Sequence, residues 1–389
     1  MQLRRGEHVL EVQRLIWRGR GLARLPEGKV VILAPGAFPG ETVRAAVTKE
    51  KKDHLQARVE EILEPLNKRR PHPCPRAGIC GGCTFGVLPQ RLQLGLKLDL
   101  VRETLRRQLP SSCRHQAELD CKVYPSRPAW RYRWRGKIQV RDGDPYLQGL
   151  QGSGLVYSPD CLLYARPLGS NLSGIAARLQ DGSHILAASP RDQQVKAADE
   201  SGTILLPFDH YGFDLKLPPR IFFQANWALN QTLVELVCSR LRGWERVADM
   251  YCGAGNFALP LALQGKQVLA LDRDFQAVAA GRANARRLGL DNVWFQALNL
   301  NKKDFMSRLC RFKPQALILD PPRSGAGKAL QGLQELGELK EMLWVSCDLV
   351  NTCRDLAFFL GSGWRITEMI LLDMFPQTWH LEMLLRLQR

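Results

Sequence analysis

The sequence predicts an α/β protein whose C-terminal half is an open parallel sheet covered by helices, preceded by a small β-barrel and a β-rich, cysteine-bearing middle section. Three observations predict it. From about residue 221 onward, short apolar runs at 247–251, 267–272, 293–297, 316–320 and 342–346 alternate with helix-like segments. Strand, helix and strand in repetition require crossovers, and crossovers give parallel pairing. Residues 1 to about 65 instead alternate short apolar runs with turn residues, the pattern of a small all-β barrel. Between the two lies a Pro- and Gly-rich stretch with three cysteines inside ten residues. At 389 residues the chain is long enough for two or three domains with cores that need no disulfide staples.

In the barrel segment the strand runs are VVIL at 30–33, TVRAAV at 42–47 and LQARVEEIL at 55–63, with Lys49, Lys51 and Lys52 expected on a connecting loop. Next, residues 89–109 read as a helix, although Gly95 and leucines spaced i, i+2 blur the 3.6-residue period. The stretch Trp130-Arg131-Tyr132-Arg133-Trp134-Arg135 interleaves aromatics with arginines. As a strand it would put rings on one face and cations on the other, for packing or base stacking and for phosphate. From about residue 130 to 219 the chain is again strand-like, with Gly and Pro every few residues.

Composition narrows the function. Hydrophobic residues make up 45% and charged residues 24%, and no apolar run approaches the roughly 18 residues of a membrane span. The first residues carry acidic groups and no apolar block, so no secretory signal is expected and a cytoplasmic location follows. The 55 Lys and Arg against 38 Asp and Glu leave a net charge of +17, which attracts polyanions. Eleven of these cations but three acidic residues fall between Val101 and Arg141. Nucleic acid is the expected partner, and nothing points to an obligate protein partner.

Eleven cysteines in an intracellular chain argue for thiolate or metal chemistry before disulfides. Cys74, Cys80 and Cys83 share one loop, and Cys161, in a second turn-like segment, is the best-placed fourth ligand. Four thiolates can hold zinc or an iron–sulfur cluster, and spacing does not choose between them. Toward the C-terminus, Gly253-x-Gly255-x-x-Ala258 with Asp272 satisfies a nucleotide fingerprint that suits either a dinucleotide or S-adenosyl-L-methionine. The sheet begins late, with no second nucleotide-binding half, and its fourth strand ends in Asp320-Pro321-Pro322-Arg323, which favours the methyl donor over a hydride carrier.

Several segments then resemble one family: Phe222-Phe223-Gln224-Ala225-Asn226, the run 249–257 (DMYCGAGNF), the run 320–325 (DPPRSG), Ser346-Cys347, and the run 373–382 (DMFPQTWHLE). In this order they are similar to the RNA 5-methyluridine (uracil-C5) methyltransferases, and the resemblance extends over the whole chain. It implies a Rossmann-like, class I S-adenosylmethionine-dependent catalytic domain at 221–389. It further implies a central iron–sulfur and RNA-binding domain at 66–220, whose helix at 89–109 packs on the catalytic domain, and an OB-type TRAM barrel at 1–65. The cysteine set at 74, 80, 83 and 161 resembles the ligands of the family's 23S rRNA branch, which implies a [4Fe-4S] cluster. The expected substrate is therefore 23S rRNA, with a tRNA T-loop uridine as the alternative and a catalytically silent RNA-binding protein as the rival of another class.

Residue by residue, the resemblance makes Cys347 the nucleophile that adds to C6 of uracil, Glu382 the base that removes the C5 proton, and Asp320 a carboxylate between uracil and donor. Donor-binding positions are Gln224, Tyr251, Gly253, Gly255, Asn256, Asp272, Asn299 and Asp320, with Asn301 the neighbouring candidate to Asn299. One departure stands out. Where the family has Ser-Cys-Asn-Pro this chain has Ser346-Cys347-Asp348-Leu349, and a carboxylate turned toward the thiol would oppose its ionisation. Asp348 is expected to face away or to cap the next helix.

Overall fold

The computed structural model describes residues 6–300 and 304–389. Its first unit has strands β1 (Glu7–Glu11), β2 (Arg14–Ile16), β3 (Arg20–Arg24), β4 (Val30–Leu33), β5 (Thr42–Glu50) and β6 (His54–Glu64), in the order β1-β5-β6-β4-β3-β2. β1 and β2 are nearly one strand, broken only at Val12 and Gln13. Its first part pairs with β5 and its second with β3, so the sheet closes on itself. Alternate inward residues, among them Leu10, Val12, Val31, Leu33, Val43 and Leu55, fill the interior. Lys49 lies on strand β5 and not on the expected loop; Lys51 and Lys52 lie in the β5–β6 turn, exposed.

Helix α1 (Gln90–Gln108) follows the cysteine loop. Its irregular leucine spacing has a physical cause, because two of its sides are covered. Leu92, Leu96 and Leu100 pack with Leu15, Phe38 and Phe85 beside the barrel. Val101, Leu105 and the following Leu109 join the core under the C-terminal sheet. A helix buried on two sides carries apolar residues outside a single stripe. The turn before β3 is equally tight. Gly19 has φ of +65°, and a Cβ there would lie 2.6 Å from the Cβ of Trp379. Only glycine suits that backbone and that approach.

Strand β7 (Cys121–Tyr124) leaves the middle section altogether and pairs in the C-terminal sheet, so the segment from α1 to β7 packs with the catalytic unit. The middle sheet is five-stranded, β10-β9-β8-β11-β12, from β8 (Arg135–Arg141), β9 (Asp144–Gln148), β10 (Leu155–Tyr157), β11 (Gly182–Ala188) and β12 (Val195–Ala197). Short helices α2 (Arg166–Gly169) and α3 (Leu172–Ala176) cover it, and a hairpin of β13 (Ile204–Phe208) and β14 (Phe213–Leu217) leads onward.

The 130–135 stretch is not a strand along its length. Regular pairing begins at Arg135, Arg131 has φ of +60°, and the backbone instead bonds to residues 162–165. Tyr132 is buried with its hydroxyl donating to the Pro376 carbonyl at 3.1 Å, so its ring is core and not a stacking platform.

The C-terminal unit runs α4 (Trp227–Arg240), β15 (Arg246–Met250), α5 (Ala258–Leu263), β16 (Gln267–Asp272), α6 (Phe275–Arg287), β17 (Val293–Ala297), α7 (Asp304–Phe312), β18 (Ala316–Leu319), β19 (Glu341–Ser346), α8 (Leu349–Leu360), β20 (Arg365–Leu372) and β21 (Glu382–Gln388). The sheet order is β17-β16-β15-β18-β19-β21-β20-β7. Pairing is parallel from β17 through β19, and β21 is inserted antiparallel between β19 and β20. The chain goes outward from β15 to β17 and then returns to β18 on the other side of β15. The crevice at the carboxyl ends of β15 and β18 is therefore the switch point at which such sheets bind ligands.

Candidate active site

At that switch point the expected donor residues come together. β15 ends in Asp249 and Met250, and the chain turns through Tyr251 (φ +66°), Gly253 (φ +53°) and Gly255 (φ +96°) into α5. A Cβ on Gly255 would meet the Phe295 ring at 2.7 Å, which explains the second glycine of the fingerprint. Asp272, closing β16, accepts from the Gly253 amide at 2.8 Å and the Asp274 amide at 2.8 Å, so its carboxylate is fixed beside the glycine loop. Asn256 exchanges two hydrogen bonds with Asn230 of α4, at 2.8 and 3.1 Å. The Tyr251 hydroxyl donates to the Ala326 carbonyl at 3.3 Å. Asn299 is exposed two residues beyond β17, and Asn301 lies outside the described residues.

The acceptor side lies at the ends of β18, β19 and β21, which carry Asp320, Cys347 and Glu382. Burial pushes Asp320 up to about 7, with the Gln224 amide bonded to it pulling the other way. Glu382 is buried and held well above the usual carboxylate range, by desolvation first and by Asp320 second, with Arg323 opposing. The Cys347 thiol is pushed up to about 12, by burial and then by the Glu382 and Asp320 carboxylates. Arg323 hydrogen-bonds the thiol and favours its ionisation. Gln224 is buried at the floor of the same cleft, in the segment leading into α4, where Asn226 caps the helix by accepting from the Leu229 amide at 3.3 Å.

Asp348 behaves as the sequence suggests. Its side chain caps α8, accepting from the Asn351 amide at 3.1 Å, and the carboxylates that act on Cys347 are those of Glu382 and Asp320. Asn351 in turn donates to the Arg323 carbonyl at 2.8 Å, so the cap helps to place the arginine. Cys353, the other cysteine of this region, is fully buried inside α8 and cannot meet a substrate. Nothing local to the run 320–325 marks Arg323 for a role, yet its cation, three residues from Asp320, favours ionisation of a reluctant thiol.

His380 also sits in this cleft, its ring 3.9 Å from that of Trp379. Burial first, and then Arg323, Lys97 and Arg133, push its pKa down to about 3. The imidazole is therefore neutral and a poor proton acceptor, whereas Glu382 is the more basic group. Asp249 is fully buried behind the glycine loop, and burial raises its pKa strongly.

The four cysteines of the middle section, Cys74, Cys80, Cys83 and Cys161, line one cavity of about 600 Å³ between the barrel and the middle sheet. Backbone bonds from Gly81 to Gln148 (3.1 Å) and from Leu150 to Ile79 (2.8 Å) dock their loop on β9. Burial raises Cys80, Cys83 and Cys161, and the Cys83 thiol feels each of the other three. Among the described residues, no three His, Cys, Asp or Glu groups stand close enough to grip one metal ion. No helix among the described residues is long and apolar enough to cross a membrane.

A switch-point glycine loop with a fixed carboxylate thus stands at the same end of the sheet as a thiol acted on by two carboxylates, the place where a Rossmann-like fold binds its ligands. Comparison with known proteins makes this specific. Residues 146–389 match the family model described as tRNA (uracil-5-)-methyltransferase. The 23S rRNA (uracil(1939)-C(5))-methyltransferase RlmD of Shewanella amazonensis is 30% identical over 96% of this chain and 94% of its own length. That of a Marinomonas species is 30% identical over 98% and 94%. The crystal structure of a Pyrococcus abyssi tRNA (uracil-54, C5)-methyltransferase, in complex with S-adenosyl-L-homocysteine, shares the fold with a TM-score of 0.72 at 20% identity, covering 97% of this chain and 100% of that one. The chain belongs to the tRNA (uracil-5-)-methyltransferase family, the RNA uracil-C5 methyltransferases that use S-adenosyl-L-methionine.

Proposed function

We propose that this enzyme methylates C5 of one uridine in 23S rRNA, at the position that corresponds to the uracil named for its relatives. The observation that carries the reading is the grouping of Cys347, Glu382, Asp320 and Arg323 at the carboxyl end of the sheet, next to the donor loop. The choice of rRNA rests on relatives at 30% identity that span nearly the whole chain.

C5 of uracil is too weak a nucleophile to take a methyl group unaided. The Cys347 thiolate adds to C6, and the electron pair released makes C5 an enolate carbon. C5 then displaces the sulfonium methyl, leaving S-adenosyl-L-homocysteine. Glu382 takes the C5 proton, the C5–H pair forms the C5=C6 bond, and the C6–S bond breaks to return the thiolate. Arg323 lowers the cost of that thiolate, and Gln224 and Asp320 orient uracil and donor. Asp272 holds the donor ribose, Tyr251, Gly253, Gly255 and Asn256 shape its pocket, and Asn299 borders it.

The test is nucleoside mass spectrometry after incubation with S-adenosyl-L-methionine and unmodified 23S rRNA or tRNA transcripts. 5-Methyluridine at one rRNA position is expected. Product on tRNA alone would replace rRNA with the T-loop reading, and no product on either would favour a silent RNA-binding protein. A pH dependence follows from the site. A thiol near 12 gives about tenfold less thiolate per unit of falling pH, so kcat/KM rises with pH across 7 to 9 with a slope near one. Below about 7 the slope becomes shallower, because protonation of Asp320 removes one of the charges that oppose the thiolate. A flat profile in single-turnover measurements would remove the thiol from the mechanism.

We also assign a [4Fe-4S] cluster to Cys74, Cys80, Cys83 and Cys161. When bound it ties the cysteine loop to the segment after β10 and so stiffens an RNA-facing surface, with no electron required by methyl transfer. Cys83→Ser and Cys161→Ser are expected to lose the cluster's visible absorption and to lower Tm, with the circular dichroism of the C-terminal unit retained. An anaerobically purified parent protein without iron would overturn the assignment. The barrel is read as a TRAM-type RNA-binding module, its basic rim supplying salt-dependent phosphate contacts.

A further inference from the structure

The segment joining β20 to β21, residues 373–381, has no regular structure, and it ends at Glu382. Something else must fix it, because a base has to sit within about 3 Å of the proton it removes. Helix α1 supplies the fixing groups. Gln90, Gln93 and Lys97, spaced three and four apart, share one face of the helix and all point at this loop. Lys97 and Asp373 are both fully buried, with Nζ 2.6 Å from the carboxylate, and Nζ also donates to the Phe375 carbonyl at 3.0 Å. Gln90 donates to the other Asp373 oxygen at 3.3 Å. Gln93 and Gln377 form a closed pair: the Gln93 amide donates to the Gln377 side-chain oxygen, and the Gln377 backbone donates back, each at 2.8 Å.

Further along, Gln377 holds φ of +68°, a conformation that surrounding bonds must enforce. Its carbonyl accepts from the Phe85 amide at 2.9 Å, and its side chain donates to the Ala129 carbonyl at 3.1 Å. Past it, Trp379 is braced by Trp17 of the barrel at 5.5 Å between ring centres. Stability alone does not account for this arrangement. A buried ion pair gains little over apolar residues of the same size, because both charges lose their water. What it supplies is direction.

We propose that Lys97 and Gln93 are positioning residues for proton removal, acting through Asp373 and Gln377 to hold the loop that sets the Glu382 carboxylate against C5. This rests on the reading of Glu382 as the base. It makes an unusual demand on the kinetics, because Cys347 and the donor loop are carried by other elements. Addition to C6 and methyl transfer should survive loss of the clamp, while abstraction of the C5 proton and cleavage of the C6–S bond should slow. The methylated RNA should then remain covalently attached to Cys347.

The experiment uses full-length Lys97→Met and Gln93→Leu with labelled S-adenosyl-L-methionine and ordinary uridine-containing RNA. Denaturing gels read the adduct, and quench-flow reads the single-turnover methyl transfer. Expected are methyl transfer within about threefold of the parent, kcat lower by about 10- to 100-fold, an RNA KM within about threefold, and an accumulating adduct. Gln93→Leu loses no charge and decides the matter should Lys97→Met fail to fold. Methyl transfer and turnover falling together without adduct, or parent-like turnover in Gln93→Leu, would overturn the proposal. Glu382→Gln is run alongside. If it builds up adduct and the clamp variants do not, the clamp is wrong; if it does not, the base assignment itself is wrong.

Discussion

Cys347→Ala is expected to abolish 5-methyluridine formation, by about four orders of magnitude or more, while S-adenosyl-L-methionine still binds. The donor loop follows β15, Asp272 closes β16 and Gln224 precedes α4, and none of these depends on the thiol. Without the sulfur there is no bond to C6 and no enolate, so nothing else in the cleft can make C5 attack a methyl group. His380 is neutral and carries no suitable nucleophile, and Cys353 is sealed inside α8. Nucleoside mass spectrometry paired with calorimetric titration of the donor separates the two effects. Residual methylation within tenfold of the parent would show that Cys347 is not the nucleophile.

Glu382→Gln should lower turnover by about 10²- to 10⁴-fold, the range for loss of a general base. The glutamine keeps the shape of the buried carboxyl but cannot accept a proton. Two carboxyls with raised pKa values, Asp320 and Glu382, crowd the thiol, and removing one of them relieves part of the charge that opposes Cys347 ionisation. The first half-reaction is thus expected to proceed at least as well as in the parent, and the defect to fall wholly after methyl transfer. A denaturing gel should show protein joined to methylated RNA. An equal loss in single-turnover methyl transfer would instead place Glu382 in binding or addition.

The sheet strands were legible because their apolar runs are continuous and their ends carry functional residues: 267–272 and 293–297 match β16 and β17 residue for residue. The glycine loop was legible too, since positive φ at Gly253 and Gly255 leaves few other residue types. The cap by Asp348 followed from a general helix-start preference. The stretch at 130–135 misled, because alternation of aromatic and basic residues also arises where a chain runs irregularly with its rings inward. Tyr132 is core, and Arg135 instead lies over the Phe222 ring at 5.6 Å.

What the sequence by itself determined was the inventory: a parallel sheet late in the chain, a nucleotide loop, a thiol and a carboxylate in recognisable settings, and four cysteines apart from the rest. Those signals are local, fixed by backbone geometry or by a side chain's own chemistry. Tertiary structure decided how the pieces act on one another. It drew β7 out of the middle section into the catalytic sheet, put Arg323 against Cys347, and turned Gln93 and Lys97 of a helix toward a loop some 280 residues away in the chain. Contacts across such separations depend on which faces the folded sheet and helices present, and no short window of sequence contains both partners.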